Sequence, residues 1–390
     1  MHILIIPSWY PSAPGDVDGS FFREQALSLQ RQGCKVGVIY PQLRSMRNWR
    51  TVIGQYGRDV SLDEGMPTHR YHGMDWLPRP RWLQLQRWLR IGRRLFDQYV
   101  MAHGMPDVIH AHSLLYAGCL ARDLSIASAI PYLVTEHSSL YARGLLSVSQ
   151  REWASSAAVN ASRAYAVSAS FANLLASQLP LTRGIWSEMP NIVRQDFLSI
   201  PLRIDNGSKN CFSFLHISTL DAKKSVDIQI KAFSRVFKGD LSVRLVIGGD
   251  GPARQSLMHM AVALGIEAQV DFPGRLSRHQ VMEHMRACDA FLLSSPHETF
   301  GVVLIEAMAL GKPVIATRCG GPESIVLEAN GILVAVNDVS EMAVAMEFMR
   351  NNVARYDPEE IRSTCETRFS EDSVSRRLLS AYSEVMRTHV

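Results

Sequence analysis

The chain has no C-x-x-C pair, no G-x-G-x-x-G fingerprint, no large excess of either charge, and no apolar run near the roughly 20 residues that a bilayer span needs. Each absence excludes something. Six cysteines, at positions 34, 119, 211, 288, 319 and 365, are scattered over 390 residues. That pattern predicts reduced thiols in a cytoplasmic setting, not a disulfide framework or a zinc site. The first residues, MHILIIPSWYPS, lack a basic leader and a cleavage-like site, so they read as a strand and not as a signal peptide. A net charge of +4 does not by itself suggest nucleic acid. What is present is ordinary for a soluble globular protein: 47% hydrophobic residues and a chain too long for one core, so two domains are expected.

Strand and helix patterns alternate, twice. The first half has apolar strands at His2–Pro7, Lys35–Tyr40, Val108–His112, Tyr132–Glu136 and Ala164–Ser168, with a helix at Phe21–Arg31 among those between them. The second half restarts at Phe212–Ser218 and continues through Arg244–Gly248, Val270–Pro273, Ala290–Ser294 and Pro313–Thr317. Such alternation predicts an α/β fold with parallel, doubly wound sheets. The polar stretch 201–210 is the expected linker. Doubly wound sheets bind ligands at the C-terminal ends of their strands. The final residues, 371–390, read as an amphipathic helix.

The densest chemistry lies in HETFGVVLIEAMALGKP, where Glu298 and Glu306 are separated by seven residues. Between Val302 and Leu310 only Glu306 is not apolar, which predicts a buried helix carrying one carboxylate. Position 310, one turn on, is Leu, so Glu306 needs a partner from outside its helix, and a hydroxyl-rich ligand would serve. Glu298 is expected at the helix N-terminus, where anions are favoured. Gly311 and Pro313 form a stop signal. The plain alternative is one satisfied and one capping glutamate.

The surroundings add His297-Glu298-Thr299-Phe300-Gly301, Gly311-Lys312-Pro313-Val314-Ile315-Ala316-Thr317, Gly320-Gly321-Pro322-Glu323 and Asn330-Gly331-Ile332-Leu333-Val334, in that order. With these motifs the chain resembles the retaining, family-four glycosyltransferases of the GT-B type over nearly its whole length. The resemblance implies two Rossmann-like domains facing across a cleft. It implies an acceptor-side domain at 1–200, a nucleotide-sugar domain at 201–370, and a C-terminal helix at 371–390 crossing back to the first domain. It also implies that the two glutamates face a nucleotide sugar.

Further candidates follow. Gly19 and Ser20 close the long loop after the first strand and are expected to offer backbone N–H groups to a phosphate; the alternative is a flexible loop with an N-cap. Asp16-Val17-Asp18 in that loop is formally a D-x-D metal triplet, but acidic residues near a helix N-terminus are common for dipole reasons. No metal or cofactor is expected, since GT-B enzymes generally use protein cations at the diphosphate. His137 ends a buried strand and matches the family's histidine beside the transferred sugar. His110 and His112 share a sheet face and read as structural or ligand-lining.

Lys224 matches the family's diphosphate lysine, suited to the charge that develops on a leaving group. The family's accompanying arginine would align with Thr219 and is missing, which leaves Lys223 or Arg23 as substitutes. Gly249 sits in a turn that the family places near the nucleotide, and Arg275 lies in the loop of the base contact. Thr299, Phe300 and Gly301 are expected to add backbone donors. On this reading Glu298 orients sugar hydroxyls, Glu306 holds the ribose and Lys224 neutralises the phosphates, with Glu298, His137 and Lys224 catalytic.

Residues 76–96, WLPRPRWLQLQRWLRIGRRLF, carry six arginines and no acid. Trp82, Leu85, Trp88 and Leu89 can share a helical face, which suits an anionic membrane surface. The alternative is a helix packed on its own domain with a solvated basic side. No nucleic-acid motif accompanies it, so no nucleic-acid partner is expected. The implied activity is retaining transfer of a sugar from a UDP- or GDP-sugar to a glycan or a polyprenyl- or lipid-linked saccharide. The implied setting is bacterial cell-surface polysaccharide assembly, in the cytoplasm or peripheral on the inner leaflet. The competing expectations are a GT-B nucleotide-sugar epimerase and a non-catalytic nucleotide-binding protein on the same scaffold.

Overall fold

The computed structural model describes all residues except 12–15, 17–18, 46–55, 77–78, 203–210 and 389–390. Most of the expected linker, and Val17 and Asp18 of the D-x-D triplet, therefore lie outside the described residues. Two compact units are present: Met1–Asn191 with Val374–Val390, and Ile192–Ser373.

The first unit runs β1 (His2–Pro7), α1 (Ser20–Arg31), β2 (Lys35–Ser45), β3 (Gly57–Asp63), β4 (Met66–Asp75), α2 (Arg81–His103), β5 (Val108–His112), α3 (Cys119–Ser128), β6 (Tyr132–Glu136), α4 (Val148–Val159), β7 (Arg163–Ala166), α5 (Ala169–Gln178) and β8 (Trp186–Glu188). Its sheet has the order β3-β4-β2-β1-β5-β6-β7-β8. Only β3, antiparallel to β4, breaks the parallel pattern among the described strands. Strands β1, β5 and β6 are buried throughout, as apolar strands covered on both faces must be.

The second unit runs α6 (Gln195–Ser199), β9 (Phe212–Ile217), α7 (Val226–Phe237), β10 (Val243–Gly248), α8 (Arg254–Leu264), β11 (Val270–Gly274), α9 (Arg278–Ala287), β12 (Ala290–Leu293), α10 (Val302–Ala309), β13 (Val314–Thr317), β14 (Gly331–Val334), α11 (Val339–Asn352) and α12 (Pro358–Phe369). The sheet order is β11-β10-β9-β12-β13-β14, all parallel. The chain winds outward from β9 to β11, then returns to the other side of β9 with β12. The loops after β9 and β12 therefore flank the point where strand order reverses, which is where such sheets take ligands.

The last helix, α13 (Glu371–Thr388), carries the chain back into the first unit's fold. There Ser375 Oγ lies 2.5 Å from Ser28 Oγ, Tyr382 Oη lies 2.6 Å from His110 Nδ1, and Arg377 donates to the Glu188 carbonyl at 2.6 Å.

The basic stretch behaves differently from a wholly exposed amphipathic helix. Leu85, Trp88 and Leu89 are buried in their own unit, with the Trp88 ring 5.7 Å from that of Tyr116. Trp82 is 55% exposed, so it does not share their face, and Trp76 is 54% exposed. The apolar side of α2 is thus core, while its solvent side carries Trp82 with Arg81, Arg90, Arg93 and Arg94, and Trp76 is exposed ahead of the helix.

Candidate active site

In the second unit, β9 delivers Ser218 to Ser225 and β12 delivers Ser294 to Gly301 to the reversal point. Lys224 ends a short 3-10 turn whose start is capped by Asp221, which accepts from Lys223 N at 2.9 Å. Ser225 then takes a left-handed conformation with φ 45° before α7 begins. The Lys224 carbonyl accepts from Ser294 Oγ at 2.8 Å, and Gln229 Nε2 donates to that same hydroxyl at 2.8 Å. The two loops are thus stitched together through a buried serine. Beneath them His216 is fully buried; burial pushes its imidazole down to about 4. Its Nε2 lies 2.7 Å from Ser218 Oγ.

The outcome is a meeting that no sequence spacing shows. Lys224 Nζ donates to Glu298 Oε1 at 2.5 Å, across 74 positions of sequence. Ser295 Oγ donates to the same oxygen at 2.9 Å, and Thr317 Oγ1 fixes the Ser295 carbonyl at 2.6 Å. Both donors use Oε1, which leaves Oε2 as an acceptor for a ligand hydroxyl. Glu298 is therefore not a helix cap: the N-cap of α10 is Gly301, with φ 108° and no side-chain cap bond. Its carboxylate turned to a cation instead.

Glu306 sits in α10 with its side chain 13% exposed. The expected outside partner is supplied by the protein: Arg278, first residue of α9, places Nη2 at 3.6 Å from Glu306 Oε1. Sequence reasoning missed Arg278, and only the order of the strands brings it to α10. Each glutamate of the pair thus has its own cation.

Gly249 follows β10 with φ 125°; a Cβ there would lie 1.8 Å from the Ser218 carbonyl oxygen, so only glycine lets the two loops approach. Gly321 is similar, its added Cβ falling 2.3 Å from Phe300 N. Phe300 itself is buried, with its ring 5.6 Å from that of Phe369, so its side chain is core and only its backbone faces this turn. Thr299 is half-buried, and Arg275 is exposed after Gly274.

The two substitutes for the missing arginine differ: one is an exposed lysine of the same loop, the other is held by carboxylates of its own unit. Lys223 is mostly exposed and lies 3.3 Å from Asp221. Arg23 belongs to the first unit, where its guanidinium holds Asp63 at 2.6 Å and Glu64 at 2.7 Å on the β3–β4 turn.

The first unit has its own reversal point between β1 and β5. Ser8 Oγ bridges the two following loops, donating to the Leu115 carbonyl at 2.6 Å. Gly19, with φ 74°, opens α1 without a side-chain cap bond, and Ser20 is the helix's first residue. His137 follows β6 and is only 7% exposed. Its Nε2 lies 3.1 Å from His112 Nδ1, and the rings of Phe21 and Phe22 lie 5.3 and 4.7 Å away. His110 is fully buried between Tyr382 and Thr135, so it is structural. Burial pushes the imidazole of His110 down to about 3 and those of His112 and His137 well below their usual range. Glu136 anchors this corner: its carboxylate accepts from the backbone N–H of Leu114, His137 and Ser138 at 2.7, 2.8 and 2.7 Å. Burial pushes that carboxyl up while the three N–H groups oppose the shift.

Among the described residues, no group of three or more His, Cys, Asp and Glu side chains is placed to hold a metal ion, and no helix is long and apolar enough to cross a membrane. None of the six cysteines forms a disulfide.

Comparison with known proteins adds the following. Residues 203–359 match the family described as glycosyl transferases group 1, and residues 19–196 match glycosyltransferase family 4. A putative teichuronic acid biosynthesis glycosyltransferase of Bacillus subtilis is 25% identical, with 100% of both chains covered. An uncharacterized glycosyltransferase of Methanocaldococcus jannaschii is 30% identical over 66% of this chain and 68% of its own. Among solved structures, Anabaena HepE in complex with UDP superposes with a TM-score of 0.73 at 19% identity, covering 98% of this chain and 100% of that one.

Proposed function

We propose, on the premise that the chain belongs to family four of the GT-B glycosyltransferases, that it moves a sugar with retention from a UDP- or GDP-sugar to a glycan or lipid-linked saccharide. The setting we propose is bacterial cell-surface polysaccharide assembly. The observation that carries the donor site is the meeting of Lys224 and Glu298 where strand order reverses. The likeness to a putative teichuronic acid biosynthesis enzyme of Bacillus supports the setting, and the UDP bound by HepE supports the donor class.

Lys224 neutralises the departing diphosphate, whose negative charge grows as the bond to the sugar breaks. Glu298 uses Oε2 to accept from sugar hydroxyls. Glu306 accepts from the two ribose hydroxyls. Gly249, Arg275 and the backbone of Thr299 to Gly301 line the nucleotide. A donor phosphate oxygen takes the proton of the attacking acceptor hydroxyl on the face from which the diphosphate leaves. The protein's part is mainly to position and to neutralise. In the first unit, Gly19 and Ser20 offer N–H groups to phosphate and His137 hydrogen-bonds the sugar, as the resemblance implies. No metal is needed on this scheme, because a protein cation stands at the diphosphate.

Melting the protein with UDP, GDP and ADP, in EDTA and then with magnesium, tests the donor site. A ligand at about 100 times its Kd adds about 2.7 kcal/mol of stability when only the folded state binds it. One nucleotide is expected to raise the melting temperature in EDTA, with no further rise on adding magnesium. No shift with any of the three would remove the donor site. An epimerase would consume the nucleotide sugar without acceptor and release no free nucleotide, so acceptor-dependent nucleotide release separates the two reactions.

We further propose that the basic stretch 76–96 meets an anionic membrane through its exposed described residues. Trp76 and Trp82 are each more than half exposed, and Arg79, Arg81, Arg90, Arg93 and Arg94 are exposed beside them. Tryptophan with arginine suits a lipid headgroup region. Sedimentation with phosphatidylglycerol vesicles at low salt is expected to carry the protein down, and Trp82→Ala with Trp76→Ala to reduce the bound fraction several-fold. Equal sedimentation with neutral vesicles would count against an anionic surface.

A further inference from the structure

We infer that Arg278 sets the affinity for the nucleoside half of the donor, by holding Glu306 in the orientation that meets the ribose. This rests on the donor-site reading given above.

The placement of Arg278 is built from local sequence. Ser277 and Gln280 form a capping box: Ser277 N donates to Gln280 Oε1 at 2.8 Å, and Gln280 N donates to Ser277 Oγ at 3.4 Å. That fixes the first turn of α9 and with it the direction in which residue 278 leaves the backbone. The guanidinium then lies over the ring of Phe197, 5.8 Å from its centroid. Phe197 is fully buried, so the ring is a fixed platform. A planar cation held on a ring loses little further freedom when it engages a carboxylate.

The partner explains the need. Glu306 projects from a helix whose other side chains are all apolar, and a carboxylate so little exposed is costly without a cation. Lys224 contacts its glutamate at 2.5 Å, whereas Arg278 stands 3.6 Å from Glu306. At 3.6 Å the pair compensates charge without a short hydrogen bond, and a carboxylate has acceptor sites for more than one partner. Two neighbouring donors are what a ribose supplies through its vicinal hydroxyls. Arg278 also carries an Nε–H that is buried and has no acceptor among the described residues.

Arg278 is therefore a positioning residue, acting through Glu306, and its effect belongs to the nucleoside end of the site alone. Inorganic pyrophosphate engages the Lys224 end and lacks a ribose. Calorimetric titration of the wild type, Arg278→Lys and Arg278→Ala with UDP, GDP, ADP and pyrophosphate separates the two ends. For the nucleotide that binds the wild type best, Arg278→Ala is expected to weaken binding about ten-fold, roughly one charge-assisted hydrogen bond. Pyrophosphate affinity should stay within about two-fold, and Arg278→Lys should fall between wild type and alanine because it keeps charge but loses the fork. In a Glu306→Gln background the same exchange should cost little, since coupled residues are not additive.

Unchanged nucleotide binding in Arg278→Ala overturns the inference while leaving the donor site standing. An equal loss of pyrophosphate, or full additivity with Glu306→Gln, also overturns it. Wild-type protein that binds pyrophosphate but none of the three nucleotides overturns both readings.

Discussion

Exchange of Lys224 for alanine is expected to lower kcat about 10²- to 10³-fold, the size seen when one preorganised group facing transition-state charge is removed, with little change in melting temperature. The geometry separates the two effects. Lys224 and Glu298 are 25% and 18% exposed, so their ion pair is partly solvated, and pairs of that kind contribute at most about 1 kcal/mol to stability. Such a loss moves the melting temperature of a domain of this size by only about 2–4 °C. The transition state is another matter, because diphosphate charge grows beside Lys224 only as the sugar leaves. Glu298→Gln removes the carboxylate but keeps an oxygen able to accept from Lys224 and Ser295. It should therefore cost kcat less than Lys224→Ala, and the double variant should lose less than the product of the two. The measurement is initial rate at saturating donor, with melting curves on the same preparations. Near-wild-type kcat in Lys224→Ala would sink the assignment. A melting point lowered by ten degrees or more would show that the pair holds the two loops together and does not serve the reaction.

Much of the framework was legible in the sequence for a physical reason. Strands covered on both faces are continuous apolar runs bounded by loops, and β1, β5 and β6 have the bounds expected of them. The β3–β4 hairpin was not legible. Its outer strand is half exposed along its length, and β4 carries His69, Arg70 and His72, polar residues that are nevertheless buried. Burial of such groups depends on partners from other elements, which no local pattern announces. The three-residue edge strand β8 is too short to leave a period.

The candidate site divides along the same line. The spacing of Glu298 and Glu306 and the glycines around them can be read directly. Their cations cannot, because Lys224 and Arg278 reach them through the order β9-β12 and the packing of α9 against its neighbours. Arg23 shows the converse. The family resemblance offered it as a spare cation, and the β3–β4 turn, itself unread, had already taken it.

Acidification is expected to destabilise the first unit before the second, beginning just below neutral pH. The sign follows from the buried imidazoles. His110 is held down to about 3, His112 and His137 lie well below the usual value of 6.5, and His216 is held to about 4, in each case chiefly by burial. Above pH 6.5 these groups are neutral in both the folded and the unfolded chain, so their folding carries no proton cost. Below 6.5 the unfolded chain takes up protons that the folded chain refuses. Stability then falls with pH until the folded values are reached. Each such histidine contributes a slope of up to about 1.4 kcal/mol per pH unit.

His110, His112 and His137 belong to the first unit and His216 to the second, so the first unit has the steeper loss. Glu136 works the other way, since its raised carboxyl takes up a proton more readily when folded, but it stands against these three imidazoles and against His2, His69, His72 and His103, which burial also lowers. Calorimetric melts at pH 7, 6 and 5 should therefore show a lower-temperature transition separating from a higher one as pH falls. His110→Gln, which removes one refused proton while keeping polar atoms for Tyr382 and Thr135, should flatten the pH dependence of the earlier transition. A single transition with the same midpoint at pH 7 and pH 5 would mean that these imidazoles gain protons in place, and that the corner around His137 opens to water well before the fold is lost.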